Sequence, residues 1–372
     1  MRQPNRDKGG KRGTTVVLAL LAAAFALHDA HADQRSWDDI VKAANAEGEV
    51  DVHGGPGEVY HQVLTEGFRQ EFPQIKMNFS GLSGRDAIPK IIREREAGIY
   101  NWDVYIGGSS SVLQSLKPIG AFAPLREAFV LPDVLDDKAW FGGLDSGWVD
   151  KDKTSIFGFE ASVTWTMLVN WDIISHDKLK TYDDLLKPEF AGKIAWDDPR
   201  FPGPGLGAAQ RLYLNFGVDY MKRIFTEQKI AYIANPHQEA EWLVSGKYPI
   251  GIGAAPDEVQ RFQQQGLGKN ITAFDGPIPH PTVDYAYGTV SMLSHAPHPN
   301  AAVVYINWLL SKPAQIAWGK TGGNSRRIDI PPAIPALAPK PGTTYIAEQS
   351  EENLPNRQEA QALAKQFIPV QP

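Results

Sequence analysis

One pattern recurs three times near the start of the chain and leaves few folds open: an apolar run, a glycine- or serine-rich loop, then a stretch of helical period. Val50 to His53 leads into Gly54-Gly55-Pro56-Gly57. Val59, Val63, Leu64, Phe68 and Phe72 then share one helix face, with Pro73 behind them. Ile75 to Phe79 alternates like a strand, ends at Ser80-Gly81-Leu82-Ser83-Gly84 and precedes a helix from Asp86 to Ala97 carrying Ile88, Ile91 and Ile92. Asp103 to Ile106 ends at Gly107-Gly108-Ser109-Ser110-Ser111, with a helix expected to about Lys117. An opening helix, Trp37 to Ala46, stops at Gly48. Strands alternating with helices predict a doubly wound α/β sheet. Such sheets bind ligands beyond the carboxyl ends of their strands, where helix N-termini present free N–H groups.

A second α/β set follows. Ile194 to Trp196 is a strand ending at Asp197-Asp198-Pro199-Arg200, with a helix from Leu206 to Phe216. Ile230 to Ile233 ends at Asn235-Pro236, with a helix through Trp242-Leu243-Val244. Ile250 to Gly253 ends at Ala254-Ala255-Pro256. Two long extended stretches, 156–169 and 283–293, bracket this set and read as the crossings of a two-lobed hinge protein. The expected boundaries are 33–158 plus 291–372 for lobe one and 159–290 for lobe two. A proline-rich linker, 331–341, is expected to be ordered by Ile334 and Leu337, and 344–368 to be a polar helical close.

Composition narrows the class. The chain has 372 residues, enough for two domains, and no cysteine. That excludes a disulfide scaffold, a thiolate metal site and a cysteine nucleophile. A net charge of −6 disfavours nucleic acid, which needs a cationic face. The basic Lys8, Lys11 and Arg12, the apolar run Thr14 to Leu27 and the small residues of Ala30-His31-Ala32 form a secretory leader pattern, 1–32. The apolar run is shorter than the ~20 residues that span a bilayer. A cleaved leader and an acidic body predict a periplasmic protein.

Sequence motifs for catalysis are absent: no GxSxG elbow, Walker loop, GxGxxG or HExxH occurs. His53, Glu58 and His61 do not share a helix face, so no metal is assigned to them. Asp197-Asp198 reads as loop solvation and capping. The Gly/Ser loops carry more weight together, because three of them converge on one crevice. Candidate ligand-binding residues are Gly55, Ser83, Arg85, Ser109 and Ser110 at the first set of tips, and Arg200, Asn235, Ala255 and Asp257 at the second. Phe159, Glu160 and Tyr287 join them from the crossing stretches. Arg85, beside a helix start, points to an anionic ligand group through bidentate hydrogen bonds.

The order of these motifs resembles the periplasmic solute-binding proteins of ABC importers, within the family that includes ferric-ion, thiamine, phosphonate and polyamine binders. The residues that carry it are Trp37-Asp38-Asp39-Ile40-Val41, Ala46-Glu47-Gly48, Phe68 to Pro73, Glu94 to Gly98 and Asp103-Val104. Tyr182 to Pro188 running into Gly192-Lys193-Ile194, and Gly323-Asn324-Ser325-Arg326-Arg327, complete the series. The resemblance implies a type II periplasmic-binding-protein fold, two doubly wound lobes joined by two crossover strands. It implies hinge closure on a small solute, docking on ABC permease transmembrane subunits, a monomer, no cofactor and no enzymatic activity. Ferric-binding relatives carry two adjacent tyrosines after the strand matching Ile250 to Gly253; here Ala254-Ala255 stand there. The histidine they carry after strand one is also missing from Gly54 to Glu58. Ferric ion needs hard anionic oxygens, so iron is not the primary expectation. The expectation is a small organic solute with an anionic group. A cationic polyamine held by Glu160, Asp197 and Asp257, a metal carrier, and a secreted hydrolase using Asp197 or His53 are the alternatives.

Overall fold

The computed structural model of the chain describes residues 35–369; the expected leader, 1–32, lies outside them. The first part runs α1 (Trp37–Glu47), β1 (Glu49–Gly54), α2 (Glu58–Glu71), β2 (Lys76–Gly81), α3 (Gly84–Glu96), β3 (Val104–Gly107), α4 (Ser109–Ser115) and α5 (Pro132–Leu135). The crossing follows as β4 (Phe157–Gly158), β5 (Ser162–Val163) and β6 (Met167–Asn170). Next come β7 (Ile194–Asp197), α6 (Pro204–Glu227), β8 (Ala231–Ile233), α7 (Pro236–Ser245), β9 (Ile250–Ile252), α8 (Pro256–Gln264) and β10 (Ile271–Ala273). The return is β11 (Thr282–Asp284) and β12 (Thr289–Met292), then α9 (Pro299–Leu309), α10 (Lys312–Trp318), β13 (Ile346–Ala347) and α11 (Leu354–Phe367).

The strands build two lobes and a joint. The first lobe's sheet has the order β2-β1-β3-β12-β4 and the second's β10-β6-β9-β7-β8. Within the first, β1, β2 and β3 are parallel, so their three Gly/Ser loops leave one edge as expected. Within the second, β7, β8 and β9 are parallel and share an edge in the same way. Each sheet is covered on both faces. Ile40, Leu64, Phe68, Tyr305 and Trp308 form one core against the first sheet, and Ile88, Ile91, Val112 and Leu113 another. Trp196, Ala208, Leu212 and Ile224 fill one face of the second; Leu168, Leu243, Val259 and Ile271 fill the other. Each such buried aliphatic side chain contributes about 1.5–3 kcal/mol.

The joint differs from the sequence expectation. The stretch 156–169 is not one strand: it pairs as β4 in the first sheet, β5 in a small third sheet and β6 in the second sheet. The stretch 283–293 divides likewise into β11 and β12, across Ala286 at φ 44. The third sheet has the order β13-β11-β5, so a third crossing, through β13, joins the two expected ones. An extended run looks the same in sequence whichever partner it pairs with, so periodicity cannot show where it changes sheets.

The end of the chain also departs from the drawn boundary. Residues 291–372 were assigned to lobe one, but α11 packs along α6. Its Ala360, Leu363 and Ala364, with Ile368, belong to the second lobe's core. Helix α6 runs past the expected Phe216 to Glu227, kinked at Gly217 (φ 74).

Candidate functional site

A cavity of about 1080 Å³ opens where the second lobe, the third sheet and the 319–345 strap meet. The start of α6 supplies Gly203, Pro204, Gly207 and Arg211. The β9–α8 turn supplies Gly253, Ala254, Pro256, Asp257 and Val259, and β10 supplies Ile271 to Ala273. The floor is the third sheet and its flanks: Glu160, Ser162, Val163, Thr164, Asp284, Glu348 and Gln349. Gly322, Ile334, Ala336 and Leu337 of the strap form the opposite wall. Much of this lining is apolar, with charges gathered at the floor, the usual layout of a small-molecule site.

Close backbone approach shapes the second-lobe wall. Gly253 has φ +75, and a Cβ there would come within 2.6 Å of the Gly205 Cα and 2.7 Å of its N. The turn after β9 and the start of α6 therefore touch backbone to backbone. Asp197 Oδ2 accepts from the Gly205 N–H at 2.7 Å, tying the end of β7 to the same helix start. The strap is fixed by a reciprocal amide pair. Asn324 Nδ2 donates to the Ile334 carbonyl at 2.9 Å, and the Ile334 N–H donates to Asn324 Oδ1 at 2.8 Å.

The floor is a buried charge cluster. Arg211 Nη1 donates to both Glu348 oxygens, at 3.1 and 2.9 Å, and its Nη2 donates to the Trp165 carbonyl at 2.6 Å. Glu348 Oε2 also accepts from Thr282 Oγ1 at 3.1 Å. Arg357 Nη1 donates to Gln210 Oε1 at 3.3 Å, and burial lowers its pKa. Glu160 is 3% exposed, and its Oε2 accepts from Trp318 Nε1 at 3.0 Å. Burial, then the charge of Asp284, push the Glu160 pKa well above the usual carboxylate range. Burial and the Glu348 charge push Asp284 up to about 6.

Of the expected residues, Glu160 and Asp257 line this cavity. Ala255 caps α8 between the lining residues Ala254 and Pro256. Tyr287 is 37% exposed beside the lining residue Ala286 and packs on Tyr60, ring centroids 5.4 Å apart. The others are elsewhere, each for a local reason. Phe159 is fully buried in the first lobe's core, edge-on to Trp318 at 4.9 Å; it follows β4, its backbone bonded to Gly288 and Arg326 on either side. Arg200 is held by Asp198, Nη2 to Oδ2 2.6 Å, and lies over the Tyr232 ring. Asn235 caps α7, its Oδ1 accepting from the Gln238 N–H at 3.1 Å.

The first-lobe tips also lie outside the lining. Ser83 Oγ donates to Asp86 Oδ2 at 2.6 Å, and the exposed Arg85 has no ion pair among the described residues. Gln349 occupies the start of α4: Ser109 Oγ donates to its carbonyl at 3.0 Å and Ser110 Oγ to its Oε1 at 3.3 Å. Gly55 packs against Tyr60, whose ring a Cβ would meet at 3.1 Å. The third crossing, unseen in the sequence, thus covers one of the three converging loops.

Of three residues weighed for metal or acid–base chemistry, Glu58 and His61 pair on α2, Oε1 to Nδ1 4.0 Å, while His53 packs among other residues. His53 is buried, stacked on Tyr105 at 4.6 Å, and burial lowers its pKa to about 4. His61 and Glu58 are on α2, with Glu58 at the surface. Among the described residues, one His–carboxylate group could hold a cation, Asp51, Asp103 and His298. It is internally bonded: His298 Nδ1 lies 2.9 Å from Asp103 Oδ2, and Asp103 also accepts from the Asp51 and His298 N–H groups, both at 2.7 Å.

Sequence reasoning missed Arg211, Asp284, Glu348 and Arg357. Arg211 lies mid-helix, 137 residues from its partner Glu348, so no local spacing signals the pair.

The family model of the bacterial extracellular solute-binding proteins matches residues 64–342. An uncharacterized protein of Haemophilus influenzae is 22% identical over 316 residues, covering 84% of this chain and 83% of its own. The ferric iron-binding protein A of Mannheimia haemolytica, in an open conformation, superposes with a TM-score of 0.63 at 15% identity, covering 86% of this chain and 98% of that one. FutA (IdiA) of Trichodesmium, solved with iron and citrate, gives 0.62 at 16%, covering 86% and 99%. AfuA, a periplasmic binding protein of Actinobacillus pleuropneumoniae solved with fructose-6-phosphate, gives 0.57 at 17%, covering 86% and 98%. At these identities the shared property is the two-lobed fold.

Proposed function

Because the chain belongs to the bacterial extracellular solute-binding proteins, we propose that it is the periplasmic solute-binding component of an ABC importer. It takes a small organic solute into the 1080 Å³ cavity and presents the closed, loaded form to the membrane-embedded permease subunits. The observation that carries this reading is the make-up of the cavity wall, with one side from the second lobe and the other from the joint and the strap. A ligand touching both sides favours the closed state by its contact energy there, and a ligand touching one side favours neither. The leader at 1–32 supplies the export route, and the protein acts as a monomer without nucleic acid or catalytic chemistry.

Iron is a weaker reading despite the iron-bound neighbours. Ala254 and Ala255 follow β9, offering no phenolate, and the His298 group sits at the start of β3, opposite the loop edge.

The test is a thermal-melt screen of the full chain against organic acids, amines, sugar phosphates, polyamines and metal ions. A ligand at 100 times its Kd adds about 2.7 kcal/mol of stability. A solute that shifts the melt and also reduces the radius of gyration in solution scattering supports the reading. No shift with any class, or turnover of a substrate in the cavity, removes it.

A further inference from the structure

We propose that the floor of the cavity recognises an organic cation, with an ammonium group seated between Glu160 and Asp284 and a neighbouring oxygen of the same solute accepting from Arg211 Nε–H. The proposal rests on the reading of this cavity as the solute site and adds the chemical class of the solute. It takes the opposite sign to the one Arg85 suggested, because Arg85 lies outside the lining and the floor acids lie within it.

The charges do not balance. Glu160, Asp257, Asp284 and Glu348 line the cavity with Arg211 and Arg357, so four carboxylates, three of them at the floor, meet two guanidiniums. Glu348 is satisfied by Arg211 and Thr282. Glu160 has only neutral donors, Trp318 Nε1 at 3.0 Å and Ser162 Oγ at 3.5 Å. Asp284 accepts from the Ala286 N–H at 2.7 Å and from Gln349 Nε2 at 2.8 Å, both neutral, and feels the Arg211 and Arg357 charges without a hydrogen bond to either. A buried carboxylate with no cation bonded to it takes up a proton, which an arriving cation displaces.

A second, independent feature belongs to one of the lining residues. Arg211 is 6% exposed and lines the cavity, and its Nε–H is buried without an acceptor. A buried donor left unmade costs about 1–3 kcal/mol, which a ligand oxygen would recover. Tyr60 and Tyr287 stand beside Glu160; the Glu160 charge helps burial raise the Tyr60 pKa to about 12. Trp165, Val259, Ile271 and Leu337 on the remaining walls suit an apolar body behind the charged head.

The test uses one skeleton with its polar groups varied: phenylalaninol, phenylalanine, 3-phenyllactate and 3-phenylpropane-1,2-diol, with ethanolamine and longer amino alcohols as a size series. Binding to the full chain is read by calorimetry in buffers of different ionisation enthalpy. Amino alcohols should bind, should displace about one proton per site as Glu160 gives up its own, and should weaken on the order of thirtyfold or more in Glu160→Gln. Asp284→Asn gives the same reading should Glu160→Gln fail to fold. Binding of phenyllactate or the diol as tight as that of the amino alcohols, binding indifferent to both substitutions, or binding without proton release overturns the proposal. A melt shift confined to organic acids, sugar phosphates or metal ions overturns it too, while leaving the solute-binding reading in place. No shift with any class ends both.

Discussion

Glu239 lies in the first turns of α7, 1% exposed, with its Oε1 lacking a hydrogen-bond partner. Burial, then the charge of Asp197, raise its pKa to about 8. A folded pKa above the unfolded one means that folding favours the protonated acid. Its stabilising contribution is therefore complete below about pH 4.5 and is lost as the pH rises through about 8. Glu239→Gln removes the titration. The variant should gain on the order of 3 kcal/mol over the wild type between about pH 5 and pH 9, read by denaturant melts at each pH. An unchanged difference across that range would show that the carboxyl ionises freely in the folded protein. Glu348 tests the opposite case, a buried acid already paired. Glu348→Gln removes the carboxylate to which Arg211 Nη1 donates twice, and melts should show a loss of about 3–5 kcal/mol.

At the scale of elements, the start of α6 is the tightest part of the site. Gly205 lies so close to the Asp197 carbonyl that any side chain there collides with backbone. Gly205→Ala should cost about 2 kcal/mol or more in a melt and weaken ligand binding as well, since α6 must move away from β7 and the cavity wall with it. A variant as stable as wild type would show that this junction yields easily. Much at this scale is legible in sequence where one element repeats a period and then stops. The three strand–loop–helix units appear because Pro73, Gly98 and the Gly/Ser loops punctuate them. The crossings are legible only as extended runs, since Phe157, Val163 and Val169 look alike while pairing in three different sheets. Strand β13 is two residues long, too short for any period, and it lies in the 344–368 stretch expected to be helical, where the helix begins only at Leu354. The floor of the cavity depends on this strand, because it positions Glu348 and Gln349, so the loops at the first-lobe tips seemed freer to meet a ligand than they are. Glu160 and Asp257 are legible because they stand on a crossing stretch and just past a strand end, where the sequence places the crevice; Arg211 and Arg357, inside helices, look like ordinary surface charges until the fold buries them.

Across the whole molecule, the joint is one small sheet to which each crossing gives a strand, β5, β11 and β13. A pivot of three hydrogen-bonded strands restrains sliding and leaves bending about the sheet as the softer motion. Its charged face is also the floor of the cavity, so whatever neutralises Glu160 and Asp284 acts at the pivot itself.

The position of α11 reaches back to how the chain is made. The first sheet cannot be completed until β12 emerges to sit between β3 and β4, and the second lobe's core stays uncapped until Ala360, Leu363 and Ala364 arrive to cover α6. A growing chain therefore has no finished second lobe until nearly its last residue has left the ribosome.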